Sequence, residues 1–89
     1  MNTLEQIRAK LADLNPSSLT LDDDSAKHAG HAGAASGGGH FHLHIVSERF
    51  AGLTPVARHR LIYQTLGDLM RQQIHALAID ARAPEETQN

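Results

Sequence analysis

His40-Phe41-His42-Leu43-His44-Ile45-Val46-Ser47 alternates imidazole with apolar side chains through Ile45. A period of two is the mark of a strand with one wet and one dry face. The stretch therefore predicts a strand over His40–Ser47, with Phe41, Leu43 and Ile45 turned to a core and His40, His42 and His44 on the open side. Upstream, residues 24–39 hold five of the seven glycines. They read as a flexible loop, long for so short a chain, and such loops are usually functional or disordered. Before it, Ser18–Asp23 reads as a partner strand, with Leu19 and Leu21 on one face and Thr20 and Asp22 on the other. Earlier still, Leu4, Ile7, Leu11 and Leu14 recur every three or four residues and predict an amphipathic helix over Thr3–Leu14. Thr3 is its expected N-cap, and Asn15-Pro16 ends it, because the residue before a proline avoids helical backbone.

Downstream, Ser47–Gly52 reads as a turn or single helical segment. Thr54-Pro55 is a helix start, threonine capping and proline in the first turn. The helix is expected to run to about Gln73 with Val56, Ile62, Leu66, Leu69 and Met70 as its apolar stripe, weakened at Gly67 by about 1 kcal/mol relative to alanine. His75–Ala81 reads as a third strand and residues 83–89 as a polar tail. The order is α-β-β-α-α-β. A right-handed helical crossover returns the third strand parallel to the second, giving an α+β fold in which a three-stranded mixed sheet carries all its helices on one face.

At 89 residues the chain is expected to be one domain, 1–89. Its 40% hydrophobic and 3% aromatic content calls for an aliphatic core. A net charge of −2 argues against a general polyanion binder. The N-terminus has no long apolar run, so neither a signal peptide nor a membrane span is expected. The expected address is the cytoplasm, or an organelle matrix if a transit peptide has been removed.

The chain has no cysteine and seven histidines, six of them in or beside the loop and strands. Neutral imidazole is the commonest protein metal ligand. The candidates are His28 and His31 in the loop, His40, His42 and His44 on the second strand, and His75 opening the third. Without a thiolate of its own, the chain needs a partner to complete any iron–sulfur site. Phosphate-binding loops, cysteine nucleophiles and spaced carboxylate pairs are all missing, so no enzyme activity is expected.

Ile45-Val46-Ser47-Glu48-Arg49-Phe50, then Phe50-Ala51-Gly52-Leu53, Arg58-His59-Arg60-Leu61-Ile62-Tyr63 and His75-Ala76-Leu77-Ala78-Ile79, closely resemble the BolA family. The resemblance spans essentially the whole chain, with the motifs in the family's order. It implies a fold similar to the class II KH domain. It further implies a monothiol glutaredoxin as partner, the chain being a monomer alone and forming a heterodimer that holds a bridged 2Fe–2S cluster. The glutaredoxin and a bound glutathione would each supply a thiol; the chain alone would hold no cofactor. On this side the resemblance assigns one ligand to the histidine that opens the last strand, His75. The other comes from the loop, where the surrounding residues point to His28, with His31 the alternate. Two imidazoles in place of two thiolates raise an iron–sulfur centre's potential. They also make its release easier, since free imidazole titrates near pH 6.5.

Two other readings stand beside this one. Strand residues two apart are about 6.6–6.8 Å apart along the chain, so His42 and His44 could hold zinc or copper, against the plainer reading of a solvated sheet face. Arg58, Arg60 and Arg49 could contact phosphate in DNA, as a transcriptional regulator would. Against that, a KH domain clamps nucleic acid with a GxxG loop, and Gly52-Leu53-Thr54-Pro55 lacks the second glycine.

Overall fold

The computed structural model describes residues 2–24 and 39–87. The loop candidates His28 and His31 lie outside these residues. Helix α1 covers Thr3–Leu11, strand β1 Ser18–Asp23, strand β2 Gly39–Val46, helix α2 Pro55–Leu66, the short helix α3 Leu69–Gln72 and strand β3 Ile74–Arg82. The sheet order is β1-β2-β3, with β1 antiparallel and β3 parallel to β2. The expected α+β order and mixed sheet are what the chain adopts.

Alternation along β2 settles the two faces. Phe41, Leu43 and Ile45 are buried with Ile7, Leu11, Leu14, Phe50, Ile62, Leu66, Leu69 and Ile74 in one cluster. His40, His42 and His44 stay half-exposed on the opposite face. Ser47 ties the layers together at the end of β2: fully buried, its hydroxyl donates to the carbonyl of Leu14 at 2.6 Å and accepts from the Arg49 N–H at 3.1 Å. A buried hydroxyl of this kind needs such partners to offset its desolvation.

Several boundaries differ from the sequence expectation. The N-cap of α1 is Asn2, whose side-chain oxygen accepts from the Glu5 N–H at 2.9 Å. Thr3 instead sends its hydroxyl to the Gln73 side chain. The last turn before Asn15 tightens to a 3-10 helix over Ala12–Leu14, and Asn15 takes the left-handed backbone that ends it.

The long helix expected to reach Gln73 stops at Leu66. Gly67 does more than weaken it: at φ 57 and ψ −128 it turns the chain in a conformation that favours glycine, and α3 starts afresh. Thr54 does cap α2, accepting from the Ala57 N–H at 3.1 Å. Val56 is not part of the apolar stripe; it is 60% exposed. The tail after β3 is also more than polar overhang. Ala83 is fully buried, and Pro84–Thr87 forms a 3-10 helix.

Candidate metal centre

The site begins with an irregularity in the parallel pairing of β2 and β3. Gly39 pairs with Ile74 and His40 with Ala76, so His75 is an extra residue on β3 with no partner opposite. A bulge of this kind re-aims the side chain it inserts. Ile74 points into the core and both His75 and Ala76 are exposed. The imidazole of His75 thereby comes beside that of His40, with ring centres 5.0 Å apart and planes inclined by 37°.

Gly39 allows this packing. Its N–H donates to the Gln73 carbonyl at 3.0 Å, and a Cβ at this position would overlap the ring of Phe41, which is buried beneath. The chain leaves the sheet next to the same place, since the Asp24 N–H donates to the His40 carbonyl at 2.7 Å. Asp24 and Gly39, the described residues on either side of 25–38, thus both lie next to His40.

Further along the open face the other imidazole pair is arranged differently. His42 and His44 stack on each other with centres 4.2 Å apart and planes only 20° from parallel. The Nδ1 of His44 lies 3.5 Å from a carboxylate oxygen of Asp80, its cross-strand partner. Asp80 also receives the guanidinium of Arg82 at 2.9 Å. The Arg82 hydrogen bond and charge, with a smaller contribution from His44, hold the Asp80 carboxyl below its ordinary range despite some burial. Among the described residues, no three histidine or acidic side chains are grouped so as to hold a metal ion by themselves. Metal binding by the open face therefore requires donors from water, from a partner or from elsewhere in the chain.

The arginines proposed for phosphate contact separate into two kinds. Arg58 is taken up inside the fold: its guanidinium donates to the carbonyls of Leu53 and Ala81, both at 3.0 Å, and grips both carboxylate oxygens of Glu86 at 2.6 and 2.9 Å. This bidentate pair and the Ala83 N–H pull the Glu86 carboxyl down to about 2. Arg49 and Arg60 are exposed. The brace between Arg58 and Glu86 was not legible in the sequence, because it joins the middle of the chain to its tail. The bulge was equally hidden, although a glycine directly before the strand histidines is the kind of signal that accompanies one.

Comparison with known proteins gives one consistent answer. Residues 11–86 match the model of the family described as BolA-like protein. The chain is 47% identical over 83 residues to the DNA-binding transcriptional regulator BolA of Vibrio cholerae, covering 92% of this chain and 76% of that one. It is 45% identical over 87 residues to SufE-like protein 1, chloroplastic/mitochondrial, of Arabidopsis thaliana, covering 91% of this chain and only 24% of that protein. Against BolA-like protein 1 of Homo sapiens it covers 57% of the relative's length at 42% identity. The chain thus spans about a quarter of one of these relatives and over half of another. Among solved structures, BolA1 from Arabidopsis thaliana superposes with a TM-score of 0.84 at 38% identity, covering 99% of this chain and 98% of that one.

Proposed function

The chain belongs to the BolA family, and from that premise we propose that it is the non-catalytic partner of a monothiol glutaredoxin in iron–sulfur cluster assembly, trafficking or iron sensing. In this reading it co-ligates a bridged 2Fe–2S cluster through His75 and a loop histidine, His28 with His31 as its alternate. The observation that supports it best is the exposed His75 at the bulged start of β3, set beside a second imidazole.

The donor set fits the group. Imidazole suits iron, and a chain with no cysteine can offer nitrogen to one end of the cluster while the glutaredoxin and its glutathione offer thiolates. The bound cluster would supply iron that changes hands or redox state. The chain's own part would be to present His75 from the start of β3, with His28 or its alternate His31 as the second nitrogen donor. The cytoplasm is the proposed compartment, with an organelle matrix the alternative, since relatives are named for chloroplast and mitochondrion.

The test is to mix the chain anaerobically with glutathione-loaded monothiol glutaredoxin carrying a 2Fe–2S cluster, following visible absorption and circular dichroism. A one-to-one complex with a changed spectrum, lost or altered in His75→Ala, is expected. The loss should be smaller in His28→Ala, for which His31 can substitute. No complex and an unchanged spectrum would remove the reading.

One relative's name favours a second reading, regulation of transcription through DNA. With Arg58 engaged by Glu86, phosphate contact would fall to the exposed Arg60 and Arg49. DNA binding whose salt slope falls by about 1 in Arg60→Ala would support it.

A further inference from the structure

We infer that His40 and His75 act together as a two-imidazole chelate for a single transition-metal ion. A zinc ion bound to an imidazole nitrogen at about 2.0–2.1 Å lies about 3.2 Å from that ring's centre, so two rings on one tetrahedral ion have centres about 5.2 Å apart. The rings of His40 and His75 stand 5.0 Å apart before any metal is considered. Their orientation is set by side-chain torsions, and the terminal torsion of histidine is broad. Rotation about those torsions is what would bring one nitrogen of each ring to a common point.

The backbone makes the pair specific. His40 pairs with Ala76, and His75 is the residue inserted between that pair and the Gly39–Ile74 pair; the break in alternation leaves His75 exposed beside Ala76 instead of turned to the core side. The only other close imidazole pair among the described residues does not meet the same test. His42 and His44 are stacked at 4.2 Å and nearly parallel, so one ion would require them to separate by about 1 Å and unstack. His44 is in addition held toward Asp80. The pair at His40 and His75 supplies two donors, and water or a partner's thiolates complete the coordination. The inference rests on the proposed function for the identity of the natural cargo, iron, and on the sheet geometry for the pair itself.

Zinc titrated into the full-length, 15N-labelled chain tests this directly, with imidazole nitrogens followed by long-range 1H–15N correlation and affinity measured against a chromophoric chelator. The first equivalent is expected to move the ring nitrogens of His40 and His75 together. His40→Ala, His40→Gln and His75→Ala should each weaken binding about tenfold or more, since removing even an outer-sphere partner of a metal site costs at least that. His42→Ala with His44→Ala should leave the first affinity unchanged. The backbone spectrum of His40→Gln reports whether the fold is kept.

First-equivalent zinc at His42 and His44 or elsewhere would overturn the inference. So would unchanged affinity in a folded His40→Gln, or no zinc binding at all. The glutaredoxin mixture separates the two ideas: zinc held by the pair with no shared cluster removes the proposed function and leaves the chelate standing. A shared cluster that forms while zinc ignores the pair removes the chelate alone.

Discussion

The two ends of the open sheet face carry histidines of the same chemistry in opposite circumstances. At the end where β3 begins, an inserted residue breaks the strand pairing and two imidazoles meet across strands at 5.0 Å. Toward the other end the pairing is regular, and the imidazoles lie along one strand, stacked at 4.2 Å, with His44 turned toward a carboxylate that Arg82 already holds. Beyond that, Arg58 and Glu86 close the last turn of chain over β3. One end sets two imidazoles of different strands side by side. The other satisfies its polar groups internally. The same residue type is thus a candidate ligand or a surface feature according to the backbone register beneath it.

Removing the feature that sets the ends apart should have the largest effect on the fold. Gly39→Ala puts a methyl group where the buried Phe41 ring lies, and overpacking of a closed core typically costs 1–3 kcal/mol, so a loss of about 2 kcal/mol is expected. Urea denaturation measures it. The substitution should also lengthen the His40–His75 approach, seen as weaker nuclear Overhauser contacts between the rings, while the His42–His44 stack persists. A variant as stable as wild type would mean the bulge is not held by the Gly39–Phe41 contact.

How much of this was legible in advance follows from how far each feature reaches along the chain. The alternation from His40 to Ile45 gave the sheet face directly, because strand period is local, and Leu4, Ile7, Leu11 and Leu14 gave α1 by the same logic. Thr54-Pro55 marked the start of α2, since capping involves residues three apart. What stayed hidden depends on residues far apart in sequence. The ring contact between His40 and His75 needs the bulge in the β2–β3 register, and the Arg58–Glu86 brace needs the tail folded back over α2. Gly67 was visible as a glycine, but its role as a stop required its backbone angles. His75 was singled out by the family resemblance; the residue beside it came only from the fold.

The braced end should be the more sensitive to acid. The Glu86 carboxyl sits at about 2 when folded, against 4.5 ordinarily, held down first by Arg58 and then by the Ala83 N–H. A carboxyl whose folded value is depressed stabilises the fold above its unfolded value, and that contribution is lost as pH falls through the folded one. Wild type should therefore exceed Glu86→Gln in stability above about pH 5, and the two should converge as pH falls from 4.5 toward about 2. Urea midpoints taken across that range test it. A difference that persists unchanged at pH 2 would assign the gap to something other than the ionised carboxylate.

The smallest expected effect lies between the two ends, at Asp80. Its carboxyl is lowered most by the hydrogen bond from Arg82, then by that residue's charge, and only after these by His44. Removing each partner in turn should therefore give unequal answers. Arg82→Ala should raise the Asp80 titration toward the ordinary carboxylate range, and His44→Ala should raise it less, since Arg82 remains in place. Carbon-detected titration of the Asp80 carboxyl reads both. If His44→Ala moved it further than Arg82→Ala, the imidazole rather than the guanidinium would be the principal partner of Asp80. His44 would then be the main support of that carboxylate, and the contrast between the two pairs would rest on this contact as well as on register. With the expected order, His44 is a lesser contact on a carboxylate already satisfied, and the difference between the two histidine pairs comes back to the single residue inserted at the start of β3.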